Sequence, residues 1–394
     1  MNELINYSKK KIASASNVFK RYLFERIDTD RQLIGIKGAR GSGKTTLLLQ
    51  LLKDKNKSEV LYVSLDNLYF TNNSLYDLAS AFSKRGGKYL YIDEVHKYPN
   101  WSQEIKNIYD SMEDLKLIFT SSSALEINKG KYDLSRRAVI FDLVGLSYRE
   151  FLEFKYSIKL PAVSFVDIMS KHEDIVDLYL NNIKPLKYFE EYLEIGYYPF
   201  FKKEGKFYHQ QLAQTINIVI ETDLPAIYNV DYNTVLKLKK ILFLLGEMVP
   251  YIPNLKKLAQ QVGTTRDSLL KYLHLLHNAH ILKWLGRDSF GINFMNKPEK
   301  LYLDNTNIAF ALTKNADLGT LRETFFLNQV SAESKVTYPE VGDFMVDDEY
   351  LVEVGGKSKD YKQIAGINNS FIAADNIEYG NGNKIPLWLF GFLY

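Results

Sequence analysis

The chain has 394 residues, 46% hydrophobic and 25% charged, enough apolar material for several folded cores. Fifty Lys and Arg stand against 47 Asp and Glu, a net charge of +3, too small to attract nucleic acid or membrane by total field. The absence of cysteine excludes disulfides and thiol chemistry, and with no signal-peptide core in residues 1–21 and no charge-free stretch near 18 residues, a cytoplasmic protein off the membrane is expected.

The first strong local pattern is "IGIKGARGSGKTTLLLQLL" at residues 34–52. An apolar run (Leu33, Ile34, Ile36) reads as a buried strand, and residues 47–52 read as the helix that follows. Between them Gly38, Gly41 and Gly43 permit the close turns that let successive N–H groups surround an anion at a helix N-terminus. The spacing from Gly38 to Gly43, Lys44 and Thr45 is a complete P-loop pattern. Gly38, Ala39, Arg40, Gly41, Ser42, Gly43, Lys44, Thr45 and Thr46 are thus the expected phosphate cradle for ATP. In it Lys44 reaches the β/γ oxygens and Thr45 ligates Mg²⁺.

A nucleotide site also needs carboxylates for the metal and the attacking water. The stretch "KYLYIDEVHKYPNW" provides an apolar strand at 89–92 ending in Asp93 and Glu94. Asp93 is the expected Mg²⁺ holder and Glu94 the residue that polarises water. The next apolar strand, 115–119, ends in hydroxyls at 120–123. Lying between the two earlier strands, it would set one hydroxyl, with Ser122 as the candidate, beside the terminal phosphate; a serine-rich turn is the plain alternative. Arg136 and Arg137 precede a further strand. They are either surface arginines or a source of transition-state charge, in this subunit or a neighbour.

These stretches, "GARGSGKTTLL", "YIDEVHKYPNW", "TSSSA" and "RAVIFDLVGLSYREFLEF", together resemble the AAA-type ATPases of a large bacterial and archaeal group whose ATPase is followed by a C-terminal domain of unknown function. The resemblance continues through "EIGYYPF" (194–200), "KPEKLYLDNTNIAFAL" (297–312) and "RETFFLNQV" (322–330). Alignment to that group selects Arg137 as the matching arginine. Two positions depart from it, Ser121 and Arg136, where the group usually has glycine.

From 156 to about 230, Leu, Ile, Tyr and Lys recur at helical spacing with breaks at Pro161, Pro185 and Pro199, which reads as a helical lid and connector. Residues 254–285 carry two apolar stripes around Gly263 and Thr264, a helix-turn-helix pattern followed by the start of a wing strand. Lys256, Lys257, Arg266 and Lys271 could contact phosphates of double-stranded DNA; a protein-contact role is equally open. Near the C-terminus Glu323 falls on a helix, while Asp343 and Glu353 lie on two strands of a hairpin. With Lys357 nearby this is similar to the PD-(D/E)xK nuclease arrangement, in which Asp and Glu hold Mg²⁺ and a lysine two residues after the Glu activates water. That position is Gly355 here, and Lys359 and Gln363 extend the polar set. An active nuclease, a nuclease-like fold kept for binding, and an unrelated α/β domain all remain open. The apolar tail "IPLWLFGFLY" reads as a core strand.

The expected architecture is α/β. A P-loop parallel-sheet ATPase domain (1–155) is followed by a helical lid (156–235), a winged helix (236–296) and a smaller mixed α/β nuclease-like domain (297–394). Three functions fit: a Mg²⁺-dependent ATPase switch near DNA, acting alone or as a homo-oligomer; an ATP-gated DNA nuclease; and a nucleotide-binding signalling scaffold.

Overall fold

The computed structural model describes residues 1–122, 134, 136–246, 250–287, 298–313 and 316–394. They fall into two units, Met1–Gly145 with Thr222–Asn229, and Leu146–Glu221 with Val230–Tyr394.

In the first unit helix α1 (Asn2–Ser14) precedes β1 (Leu33–Gly38), α2 (Lys44–Lys53), β2 (Val60–Ser64), α3 (Leu75–Ser83), β3 (Tyr89–Asp93), α4 (Trp101–Ser111), β4 (Lys116–Ser122) and β5 (Val139–Asp142). The strands make one parallel sheet in the order β2-β3-β4-β1-β5. Alternate side chains point to opposite faces, and both faces are covered, so each strand reads as an unbroken apolar run. Ile34, Ile36, Tyr62, Tyr91 and Ile118 pack with Leu47, Leu48 and Leu51 of α2. Leu33, Leu61, Val63, Leu90, Ile92, Leu117 and Phe119 share the other core with Leu78, Phe82, Ile105 and Ile108 of α3 and α4. Each such fully buried side chain contributes about 2 kcal/mol.

Helix α1, which the sequence patterns did not bring out, runs along the β2 edge. Its Leu4 joins one core and its Ile12 the other. Ser8 Oγ accepts from the Tyr62 N–H at 2.9 Å, satisfying a donor of the edge strand.

The second unit begins with α5 (Tyr148–Tyr156), α6 (Phe165–Leu180), α7 (Pro185–Ile195), α8 (Phe201–Glu204) and α9 (Tyr208–Ile218). A π-helical turn (Val219–Asp223) then leads into α10 (Leu224–Tyr228), which belongs to the first unit. After it come α11 (Tyr232–Gly246), α12 (Leu255–Val262), α13 (Arg266–Asn278), β6 (Leu282–Leu285), β7 (Lys300–Leu303), α14 (Thr306–Leu312) and α15 (Leu318–Val330). The chain closes with β8 (Val336–Thr337), β9 (Phe344–Val346), β10 (Tyr350–Gly355), β11 (Ser370–Ala374) and β12 (Lys384–Pro386). Strands β8 to β12 form a mixed sheet in the order β12-β11-β10-β9-β8. Pro185 starts α7 rather than breaking a helix, because its fixed φ and missing N–H suit the first helical position. In the "EIGYYPF" stretch Gly196, Tyr197 and Tyr198 are buried, and the turn is held by Asn307, whose Oδ1 accepts from Tyr197 N at 2.8 Å and whose Nδ2 donates to Leu193 O at 2.8 Å.

The structure differs from the sequence expectations in several places. Strands β6 and β7 pair antiparallel, so the expected boundary at 296/297 falls inside one ribbon. The first unit ends at Gly145, ahead of α5, and later regains eight residues. The tail is buried as expected, but only Lys384–Pro386 is strand; Leu387–Phe392 is a 3₁₀ helix packed in the core. An apolar run of that length carries no period that separates the two states.

Candidate functional site in the first unit

The C-terminal ends of β1, β4 and β3 lie side by side, the edge of a parallel sheet where loops gather functional groups. Gly38 closes β1 in a position where a Cβ would collide with the Leu143 carbonyl oxygen. Gly41 and Gly43 have φ of 86° and 100°, the left-handed region that other residues avoid, and Gly43 caps α2. The loop thereby ends on a helix N-terminus whose first N–H groups are free to meet an anion.

Lys44 is buried, and its Nζ donates to Gly38 O at 2.9 Å and Ala39 O at 3.0 Å. Burial pushes its pKa down, against the pull of Glu94 and Asp93. Thr45 Oγ1 donates to Asp93 Oδ2 at 2.7 Å, linking the first turn of α2 to the end of β3. Asp93 Oδ2 also accepts from the Tyr62 hydroxyl at 2.9 Å, and Oδ1 accepts from Thr120 Oγ1. Glu94 follows in the left-handed region (φ 57°), its N–H donating to Thr120 Oγ1 at 3.0 Å. Burial raises its carboxyl, with Lys44 opposing.

His96 is pushed down to about 4 by burial and is neutral at pH 7. Its Nδ1 accepts from Ser122 N at 3.2 Å, so the ring proton belongs on Nε2, which lies 3.4 Å from Glu94 Oε2. Arg21, also buried, donates to Ser42 O at 2.6 Å, Val144 O at 2.7 Å and Gly145 O at 2.8 Å, tying the loop to the chain after β5.

The arrangement brings together Gly38, Ala39, Arg40, Gly41, Ser42, Gly43, Lys44, Thr45, Asp93 and Glu94. Thr46 faces outward on α2. Strand β4 lies between β1 and β3, as anticipated. The hydroxyl it brings to the carboxylates is that of Thr120; Ser122 contributes its backbone N–H to His96, and Ser123 lies outside the described residues. Arg137 stands elsewhere. It precedes β5, whose Val139 pairs with Ile34 near the start of β1, so about five residues of strand, roughly 17 Å, separate it from the loop. There its guanidinium bonds Asp110 at 2.9 Å beside Tyr109. A part for Arg137 in this chain's own site is therefore corrected: the strand carries it to the wrong end.

The residues that sequence reasoning missed are Tyr62, Arg21, His96, Lys97 and Asp223. His96 and Lys97 were within reach, lying just past the carboxylate pair. Asp223 Oδ1 accepts from Lys97 Nζ at 2.6 Å, and Oδ2 accepts from Arg40 Nη1 at 3.1 Å. No local pattern announces an aspartate 183 residues from its partner.

In the second unit the anticipated carboxylates do gather, with a different lysine. Glu323 Oε2 accepts from Lys300 Nζ at 2.6 Å and from the Tyr302 hydroxyl at 2.7 Å; Lys300 Nζ also lies 3.9 Å from Asp343 Oδ1. Glu353 is paired by Lys359, while Lys357 is exposed on the turn after β10. The physical reason is Gly355. A Cβ there would meet the Lys359 stem at 2.8 Å, so the missing side chain makes room for a lysine returning from the turn. Glu323 and Glu353 thus each carry a lysine, while Asp343 Oδ2 accepts from Val354 N at 2.9 Å and Glu353 Oε2 is buried without a hydrogen-bond partner. Among the described residues no set of three His, Cys, Asp or Glu is gathered to hold a metal by itself.

The fit in the first unit is different. A Thr45 hydroxyl joined to the Asp93 carboxylate at the mouth of a glycine loop is the donor set a phosphate-bound Mg²⁺ uses, with waters and phosphate filling its other positions.

Residues 30–152 match the family model of an AAA domain, and residues 186–318 match a domain of unknown function (DUF8612). The second match ends before the β8–β12 sheet. The chain is 28% identical over 303 residues to the uncharacterized protein MJ1637 of Methanocaldococcus jannaschii, covering 71% of this chain and 62% of that protein. Uncharacterized protein MJ1544 of the same organism is 22% identical over 303 residues, 73% of this chain and 64% of its own length. The chain thus matches under two thirds of these relatives' length. Among solved structures, AMPPCP-bound DnaA from Aquifex aeolicus aligns with a TM-score of 0.29 and 14% identity over 70% of this chain and 89% of its own. A point variant of Thermotoga maritima RuvB aligns at 0.27 and 16% over 71% and 89%. Residues 30–152 are accordingly an AAA-type P-loop domain. Among the described residues no helix is long and apolar enough to cross a membrane.

Proposed function

We propose that the AAA-type domain binds ATP with Mg²⁺ and hydrolyses it, and that nucleotide state switches the second unit. The observation that carries this reading is the 2.7 Å hydrogen bond between Thr45 and Asp93 at the end of the glycine loop, with Glu94 next in chain. Lys44 and the α2 N-terminus bind the phosphates, while Thr45 and Asp93 hold the metal. Bound Mg²⁺ supplies Lewis-acid stabilisation of phosphoryl charge. Glu94, buried and raised, takes the proton of the attacking water, and His96 Nε2–H and the Thr120 hydroxyl fix its direction. Arg137, at the far end of β5, serves a neighbouring subunit's site in a homo-oligomer.

The pair α12–α13, with Gly263 at φ 75° between them and β6–β7 behind, supports a winged-helix reading. Lys256, Lys257, Arg266 and Lys271 are all exposed on it and available to DNA phosphates. For the β8–β12 sheet we propose a binding or structural part rather than cleavage, since Gly355 stands two residues after Glu353, where the nuclease arrangement has its lysine, and Lys357 is exposed on the following turn.

The test is Mg²⁺-dependent ATP hydrolysis, with and without double- and single-stranded DNA, by wild type and Glu94→Gln. Turnover that DNA stimulates and the substitution abolishes supports the switch. Nucleotide binding without turnover in either protein removes hydrolysis and leaves a nucleotide-binding scaffold.

A further inference from the structure

Eight residues, Thr222–Asn229, leave the second unit to join the first and then return, so both ends of this segment are covalently continuous with the other unit. The segment enters through a π-helical turn, Val219–Asp223, a rare geometry that frequently accompanies function. Leu224 anchors it, fully buried. Beside it Asp223 is buried with its side chain 2% exposed, and a carboxylate in that setting needs cationic partners.

It has two. Lys97 Nζ donates to Oδ1 at 2.6 Å, and Arg40 Nη1 lies 3.1 Å from Oδ2 and 3.4 Å from Oδ1. Neither cation is incidental to the phosphate site. Arg40 lies inside the glycine loop, and Lys97 follows the Asp93–Glu94 pair by three residues. The Asp223 charge is also felt by Lys44, Glu94 and His96.

Six charged groups therefore face one another: Lys44, Arg40 and Lys97 against Asp93, Glu94 and Asp223. A bound triphosphate adds negative charge to this set. Two of the three cations that could answer it are held by Asp223, whose carboxylate offers oxygen acceptors to a guanidinium and an ammonium much as a phosphoryl group does.

We propose that Asp223 is a tethered anion that competes with the terminal phosphate of bound nucleotide for Arg40 and Lys97. A triphosphate takes over both cations and releases Asp223, and the segment 222–229 loosens. A diphosphate leaves the pairing intact. The site thereby reads the third phosphate through a residue that is covalently joined at both ends to the second unit. This inference rests on the nucleotide reading above.

The test uses the full chain and two readouts. Binding of fluorescent ATP and ADP analogues with Mg²⁺ is compared between wild type and Asp223→Asn. The expected result is roughly tenfold tighter ATP binding in the variant with ADP affinity changed less than about threefold. Hydrogen exchange is then followed over residues 219–229 of wild type, which needs no variant to fold. A non-hydrolysable ATP analogue should speed exchange there, whereas ADP should not. Equal ATP affinity in the two proteins, or exchange that ATP slows or leaves unchanged while nucleotide is bound, overturns the proposal. If wild type binds neither nucleotide, the nucleotide reading fails and the inference falls with it.

Discussion

The two clusters of carboxylates and lysines in this chain are made of the same residue types and do opposite things with them. In the first unit Asp93 is held by three hydroxyls, from Thr45, Tyr62 and Thr120, while Lys44 donates to backbone carbonyls of its own loop. In the second, Lys300 and Lys359 sit directly on Glu323 and Glu353. Neutral donors orient a carboxylate and leave its charge available to a metal. A lysine at hydrogen-bond distance offsets that charge, as Lys97 also does for Asp223 in the first unit, away from Asp93. The count of acidic residues is thus a poor guide to chemistry; what each is bonded to decides.

The largest effect that would break this contrast comes from Glu94→Gln. Turnover should fall by about 10²–10⁴, the usual weight of a general base, with nucleotide affinity kept within a few-fold. Steady-state hydrolysis and equilibrium binding check it, and unchanged turnover would remove Glu94 from the chemistry. Lys300→Met should leave turnover untouched but destabilise the second unit by about 3 kcal/mol, because Glu323 and Asp343 lose their shared cation. Trp284 and Trp388 report on that unit and Trp101 on the first, so single-tryptophan variants separate the two unfolding transitions.

A pH series sharpens the comparison further. Burial, with Glu323 adding to it, raises Asp343 from 3.8 to about 6. Between those values the folded chain keeps a proton that the unfolded chain has released, so stability falls as pH rises through the window and the penalty is complete above pH 6. Asp343→Asn removes that titration and can still accept from Val354 N, the 2.9 Å bond that Oδ2 now makes. It should therefore stabilise by about 2 kcal/mol at pH 8 and by nothing at pH 3.5, as read by denaturant unfolding. The smallest effect separates two nearby lysines. Lys359→Ala should cost about 1–2 kcal/mol, leaving Glu353 unpaired, whereas Lys357→Ala should stay within about 0.5 kcal/mol. Equal costs would mean that Gly355 does not direct which lysine is used.

Much of the first site was legible because its chemistry is local. The glycine loop, Lys44, Thr45, Asp93 and Glu94 occupy short stretches whose spacing alone carries the meaning, and an apolar strand ending in hydroxyls pointed to β4 between its neighbours. What stayed hidden was long-range. Tyr62 reaches Asp93 from another strand, Arg21 spans to Gly145, and Asp223 arrives through a segment that changes unit. Which lysine pairs Glu353 was not legible from spacing, because after Gly355 the chain turns, with Lys359 N donating to Gly356 O at 3.0 Å, and the pairing is made from that turn and not from the strand.

The hydrogen bond from Tyr62 N to Ser8 reaches beyond the local accounting of donors. A parallel sheet has two margins at which a foreign strand could add, and here α1 lies over one while the other, β5, is four residues long and ends on the Lys37–Asp142 ion pair. Both margins of the sheet are thereby poor templates for a foreign strand, so a backbone ladder between two copies of this unit is disfavoured from either side.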